Sequence, residues 1–187
     1  NKSAARMDHF APEDFTLLTD VAFEWIALLL QLVETGWRDR KTCEGKAAFL
    51  AKDVNNAEDP LAYRVLLILP VLYRRWASTR LHAIKPWVRQ WQLPGMFAGV
   101  EGVGAEDAWW ETALKMEHSA VTNTQHAGGA TDIFKCFDQI PRPLLYHLAG
   151  VAGMPPQLLC AYRRFQEQVF IHNTLALGIG DAHHRPN

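Results

Sequence analysis

The sequence lacks several features that would assign it to a class at once. Lysine and arginine total 19 against 20 aspartate and glutamate residues, so the net charge of -1 gives no overall basic field of the kind common in nucleic-acid-binding proteins. The three cysteines, Cys43, Cys136 and Cys160, are odd in number and far apart, which indicates neither a disulfide framework nor a zinc site. Any site for a polyanion must therefore be local.

A long hydrophobic run and a leader peptide are also lacking. The most apolar stretch, from Val21 to Val33, is interrupted by Glu24 and Gln31 and is too short for a membrane span. The chain opens on Asn1 without a charged-then-apolar leader, so we expect this residue to be a cut edge. These absences predict an intracellular protein with no membrane contact.

The sequence has enough apolar residues for a core, and it contains patterns typical of both helices and strands. Of its 187 residues, 49% are hydrophobic and 11% aromatic. Apolar residues in steps of three and four, with proline and glycine at segment ends, predict helices. These are Glu13 to Glu34, which Gly36 ends; Pro70 to Trp91, kinked at Pro86; Glu106 to Ala120; Pro143 to Gly150; and Gln157 to Gln166.

Short apolar runs predict strands between these helices. They are Ala47 to Lys52, Tyr63 to Leu69, Ala130 to Phe134 and Gln168 to Asn173. The first two, separated by a polar loop, are typical of two strands joined by a turn. Because helices and strands do not alternate strictly, the sequence predicts an α+β fold.

The stretch TDIFKCFD, from Thr131 to Asp138, follows a glycine pair and carries two carboxylates beside apolar and aromatic residues. An aspartate at the end of a strand can hold Mg²⁺, because this ion accepts one or two carboxylates together with waters and phosphates. The same spacing suits an ordinary strand in which Asp138 caps the turn before the next helix. Spacing alone leaves both interpretations open.

The order of motifs resembles the reverse transcriptase domain of non-LTR retrotransposons and group II intron-type elements. The matching segments read ARMDHF, AFLAK, AYRVLLILPVLYRRWASTRL, PGMFAGVEGVGAEDA and TDIFKCFDQIPRPLLYHLAGVAGMP. The last, with its D-x-x-K-x-F-D core, is the most specific. The resemblance implies a partial right-hand polymerase fold, with helix-rich fingers in residues 1–125 and the first half of an antiparallel palm in residues 126–187.

The resemblance also implies roles for single residues in RNA-directed DNA synthesis. Asp132 matches the first catalytic aspartate, a ligand to both Mg²⁺ ions, with the backbone carbonyl of Ile133 as a further ligand. Lys52 and Arg64 match finger residues that contact the triphosphate of the incoming dNTP, whose negative charge they oppose. Phe137 matches the aromatic position beneath the sugar, where a ring excludes a 2′-hydroxyl.

Each of these roles has a plainer alternative. Lys52 and Arg64 also fit solvated charges at strand ends, and Phe137 fits a core side chain. The basic helix fits phosphate contacts with an RNA or DNA template-primer, with tryptophans for base stacking, or a core that arginine stems cover. The residues in question are Arg74, Arg75, Arg80, Trp76, Trp87 and Trp91.

Two further motifs have weaker functional interpretations. The glycines of GVEGVG, residues 99–104, do not follow a strand into a dinucleotide-binding unit, which favours a flexible connector. The pair His183-His184 is expected to lie solvated in a polar tail without fixed ligand geometry.

The sequence departs from the family's pattern in several places. Val65 stands at a usual proline, Met96 interrupts the usual Q-x-G-F wording, and Cys136 replaces a commoner alanine. The motifs G-[IV]-P-Q-G-x-x-x-S and [YF]-x-D-D, whose aspartates complete the two-metal site, do not occur. Because one aspartate cannot hold two cations against water, we expect no polymerase activity from the isolated chain. The alternative function is a degenerate, non-catalytic nucleic-acid-binding or helical interaction module.

Overall fold

The structure is a computed structural model that describes residues 11–36, 40–52, 56, 58–59, 62–133, 136–175 and 178–184. Its helices and strands alternate irregularly, which confirms the α+β class. In chain order they are a 3-10 helix at Pro12–Leu17, α1 (Asp20–Thr35), a 3-10 helix at Arg40–Cys43, β1 (Glu44–Ala51), β2 (Tyr63–Ile68), α2 (Val71–Trp91), α3 (Ala105–Thr122), α4 (Cys136–Gln139), α5 (Arg142–Val151), α6 (Pro156–Gln168), β3 (Phe170–Leu175) and β4 (Gly178–His184).

The chain divides into two compact units. The first unit combines Asn1–His82 with Met154–Asn187, and the second unit is Ala83–Gly153. The first unit therefore contains strands from both of the segments that the sequence assigned to fingers and palm. The division into fingers and palm at residue 125 stays a prediction.

The first predicted helix is split by a cap at Thr19. The side-chain oxygen of Thr19 accepts a hydrogen bond from the Ala22 N–H at 3.4 Å, so α1 begins at Asp20 and a 3-10 helix precedes it. Gly36 ends α1 as predicted. Its φ of 113° lies in the left-handed region, and its N–H donates to the carbonyls of Leu32 and Val33.

Four strands of the first unit form one sheet in the order β2-β1-β3-β4. The predicted pairing of β1 with β2 is confirmed as antiparallel, and β3 pairs with β4 in the same sense. β1 and β3 run parallel, so the sheet is mixed. Parallel neighbours need a long crossover, and here the chain from α2 to α6 provides it.

The pair His183-His184 is exposed, as predicted, but the prediction that it lies in an irregular tail is wrong. His183 pairs with Ile171 and His184 with Phe170, as the last two residues of β4. The rings of Phe170 and His184 lie 4.0 Å apart. Because glycine disfavours strands, the sequence LGIGDAHH does not predict this one. Pairing with the edge of β3 stabilises it.

The prediction of a strand from Ala130 to Phe134 is also wrong for the residues described. Residues 130–133 have no regular structure, and Phe134 lies outside the described residues. β1 is already paired with β2 and β3, and the described part of the second unit contains no strand. A lone strand would leave its backbone groups without partners.

The core of the first unit lies where the strand ends meet α2 and α6. Cys43, Phe165 and Val169 are buried together, and Leu69 and Tyr73 pack against them. The rings of Tyr73 and Phe165 are stacked with centroids 3.4 Å apart and planes 12° apart. This contact fixes the start of α2 against α6, since each helix contributes one ring.

A buried carboxylate connects three helices of this unit. Glu34, near the end of α1, is 5% exposed. Its Oε1 accepts a hydrogen bond from the Trp76 indole at 2.9 Å and another from the Arg80 guanidinium, and its Oε2 accepts one from the Gln157 amide at 3.1 Å. Because a buried charge is tolerated only with such partners, these donors hold α2 and α6 against α1.

We predict that Glu34→Ala lowers the free energy of unfolding by about 2–3 kcal/mol, because it strands the Arg80 charge and the Trp76 N–H. The expected loss is smaller than for a fully buried ion pair, because 35% of the Arg80 side chain is exposed and solvent screens its charge. Urea unfolding of both proteins measures the difference. The matched control is Glu24→Ala on the exposed side of α1, which should change the free energy by less than about 0.5 kcal/mol. Equal effects of the two substitutions would contradict this account.

The second unit has an exposed ion cluster at its beginning. Lys85 donates to Glu101 Oε1 at 2.5 Å and Arg89 to Glu101 Oε2 at 2.8 Å, so the loop of residues 99–104 is held against α2. The Trp87 indole donates to the Ala152 carbonyl at 2.6 Å. The hydrogen bonds from Lys85 and then Arg89 hold the pKa of Glu101 below its ordinary value of 4.5, against an opposing effect of desolvation.

This depressed pKa gives a prediction for stability against pH. The contribution of Glu101 is fully present above its ordinary pKa of 4.5 and is lost as the pH falls through the lower folded value. Glu101→Gln should therefore lower the melting temperature at neutral pH, and the difference from the parent should shrink under acid. Thermal unfolding across pH measures it, with Glu117→Gln on α3 as the matched exposed control. A difference that grows on acidification would contradict the prediction.

Candidate functional site

The predicted site residues fall in both units of the chain. The finger and template residues Lys52, Arg64, Arg74, Arg75 and Arg80 belong to the first unit, and the palm residues Asp132, Ile133 and Phe137 belong to the second unit. The geometry of each group is therefore described within its own unit.

Lys52 and Arg64 lie on one face of the β1–β2 hairpin. Leu50 of β1 is the direct partner of Arg64 in β2. The pairing continues one residue past β1, because the Lys52 N–H donates to the Ala62 carbonyl at 2.8 Å. Side chains two residues apart share a face, so Lys52 and Arg64 are diagonal neighbours, about 7–8 Å apart.

The charges of these two residues have no ion-pair partner among the described residues. Lys52 and Arg64 are both exposed, and within the described parts of the chain neither side chain makes an ion pair or a hydrogen bond. The strand residues beside them on this face, Leu50 and Leu66, are apolar and 50% and 44% exposed. Two neighbouring cations above an apolar surface form a local positive field that an anion can occupy.

Asp132 and Ile133 lie in an irregular segment that leads into α4. Both residues are exposed. The Ile133 carbonyl, the predicted additional metal ligand, accepts a hydrogen bond from the Cys136 N–H at 3.3 Å at the start of α4. This bond uses one of its two lone pairs.

Phe137 stands out from α4 with 87% of its surface exposed. This exposure excludes its interpretation as a core side chain. A ring that stands in solvent is available for contact with a sugar or base, although four-residue α4 alone defines no pocket around it. Lys135 lies outside the described residues, as does the side chain of Asp138.

The described residues do not by themselves fit a Mg²⁺ ion. Among them, no three histidine, cysteine, aspartate or glutamate side chains lie close enough together to hold a metal. Asp132 therefore offers a single carboxylate, fewer oxygen donors than a two-metal site requires.

The three arginines assigned to template phosphates differ in their surroundings. Arg74 is exposed on α2. The Arg75 guanidinium lies 4.9 Å from the centre of the Phe15 ring, a cation–π contact. Arg80 is ion-paired with Glu34.

The sequence analysis missed Glu34 as a functional partner of the basic helix. The sequence contains an indication of this role, because Glu34 is a lone acid near the end of an apolar helix. An unpaired charge there would be costly to bury. Trp76 is 5% exposed and donates to Glu34, which confirms the core interpretation for this tryptophan.

Two comparisons with known proteins find no match, so the functional assignment rests on the geometry and on the sequence motifs. A scan against protein-family models finds no matching family, and a search of curated proteins finds no match. Across the described ranges, no helix combines the length and apolar character needed to cross a bilayer. The exposed cation pair on the hairpin is thus the feature with the clearest chemistry.

Proposed function

We propose that this chain is part of an RNA-directed DNA polymerase in which the β1–β2 hairpin contacts the triphosphate of the incoming dNTP. The supporting observation is that Lys52 and Arg64 share one face of the hairpin, are exposed, and make no ion pair among the described residues. These are the two residues that the resemblance to reverse transcriptases matches to triphosphate contacts.

The chemistry of the pair suits a triphosphate. Arg64 can offer two parallel N–H donors to one phosphate group, while Lys52 provides a compact charge on a flexible stem. Neighbouring phosphates of one chain can contact both side chains, since the pair spans about 7–8 Å at its backbone. During phosphoryl transfer such cations oppose the negative charge that moves toward the leaving oxygens.

Asp132 is the second component of this proposal. Its exposed carboxylate is accessible as the first catalytic aspartate of a palm, and the exposed ring of Phe137 is accessible as the sugar gate. On this proposal the hairpin belongs to the fingers, and Asp132 to the palm, of a partial right-hand polymerase that acts on a primed RNA or DNA template.

We predict that Lys52→Ala and Arg64→Ala each weaken dNTP binding by about 10- to 150-fold, since each removes a charge-assisted contact worth about 1.5–3 kcal/mol. The measurement is a titration with a fluorescent dATP analogue at low salt. Lys115→Ala on α3 is the matched control, because this lysine is also exposed but is paired with Glu111, and it should leave affinity unchanged. Equal weakening in all three variants, or no binding by the parent, would refute the triphosphate site.

We predict that the isolated chain does not extend a primer, because the described donors are too few for two metal ions. A primed template with dNTPs and Mg²⁺ tests this, and template binding is measured in parallel. Extension that disappears in Asp132→Asn would show a complete active site and contradict the prediction. Template binding without dNTP binding would instead support the alternative, a non-catalytic nucleic-acid-binding module.

A further inference from the structure

Helix α1 has an apolar stripe that the described residues of the first unit leave exposed. Val21, Trp25, Leu28 and Leu32 are 59%, 66%, 48% and 51% exposed. Their spacing of four, three and four residues places them in one line along the helix. At about 1.5 Å per residue this line is about 16 Å long, or three turns.

The stripe is distinct from the face of α1 that builds the core. Val33 and Glu34 are buried, and Ile26, Leu29 and Leu30 are half-buried. At about 100° per residue, Ile26, Leu30 and Glu34 point about 130–170° away from the middle of the stripe, whereas Val33 and Leu29 lie about 110° and about 70° from it. The helix thus has two apolar faces, and only one is used within the first unit.

The flank of the stripe is acidic. From Ala11 to Gly36 the sequence contains five aspartate and glutamate residues and no lysine, arginine or histidine. Asp20 and Glu24 are exposed; at about 100° per residue Glu24 lies about 40° from Leu28 at the edge of the stripe, and Asp20 lies about 40° further round the helix. The helix dipole accounts for Asp20 in the first turn, but its influence has faded at Glu24.

These charges determine which occupant the stripe fits. Acidic flanks repel the phosphates of nucleic acids and anionic lipids, and they disfavour a second copy of the same stripe because like charges would meet. An exposed tryptophan such as Trp25 offers its ring face to a cation. The chain already contains this contact just before α1, where Arg75 lies over Phe15 at 4.9 Å.

We propose that the stripe of α1 is a docking surface for an amphipathic α-helix of a partner protein that carries lysine or arginine along one flank. Apolar side chains at three- and four-residue spacing on the partner pack between Val21, Trp25, Leu28 and Leu32, and its cations face Asp20 and Glu24. The proposal does not depend on the polymerase assignment, because it uses neither the hairpin nor Asp132.

The test uses two dye-labelled helical peptides that share one leucine stripe and differ only on the flank, which is lysine in one and glutamate in the other. Fluorescence anisotropy with the full chain at low salt should show the lysine peptide binding at least about tenfold more tightly. Trp25→Ala with Leu28→Ala should weaken it at least about tenfold, while Glu24→Lys should shift the preference toward the glutamate peptide.

The matched control is Leu114→Ala with Val121→Ala, which removes apolar groups that are 57% and 81% exposed on α3 and should leave binding unchanged. Absence of lysine-peptide binding, equal binding of both peptides, or equal loss in both double variants would overturn the proposal. So would a dimer in sedimentation, or binding to phosphatidylcholine vesicles, that the Trp25→Ala and Leu28→Ala pair abolishes. Those results would assign the stripe to a second copy or to a membrane.

Discussion

The first unit depends on the burial of one carboxylate. Glu34 on α1 accepts hydrogen bonds from Trp76 and Arg80 on α2 and from Gln157 on α6. Because α2 follows β2 directly and α6 leads directly into β3, these bonds fix the helices that flank both neighbours of β1. The hairpin that carries the exposed cations is thereby supported from a site that the sequence pattern does not reveal.

Charge in this protein acts through local arrangement, since its net charge is only -1. Arg80 is ion-paired with Glu34 and Arg75 lies over the Phe15 ring, so both basic residues stabilise the fold. Lys52 and Arg64 have no such partners among the described residues and remain available for an anion. The acidic side of α1 has the opposite preference, and the two surfaces therefore suit different classes of ligand.

Local signals made most elements predictable, and long-range pairing explains the failures. Helix periodicity, Gly36 at the end of α1 and the β1–β2 hairpin were readable because each depends on nearby residues. The strand β4 and the parallel pairing of β1 with β3 depend on segments far apart in sequence, as does the network of Glu34. In the candidate site, the shared face of Lys52 and Arg64 follows only from the hairpin register. The backbone of residues 130–133 is irregular, and the described part of the second unit offers it no partner strand.

We propose that the end of the β1–β2 hairpin is an anion site for a triphosphate. Nuclear magnetic resonance tests it most directly, by following backbone amide shifts of the isotope-labelled chain during titration with dATP. We predict that the largest backbone amide shifts occur around Lys52 and Arg64, with little change along α1 and α3. Shifts confined to α2 near Arg74, or a spectrum that dATP leaves unchanged, would contradict it.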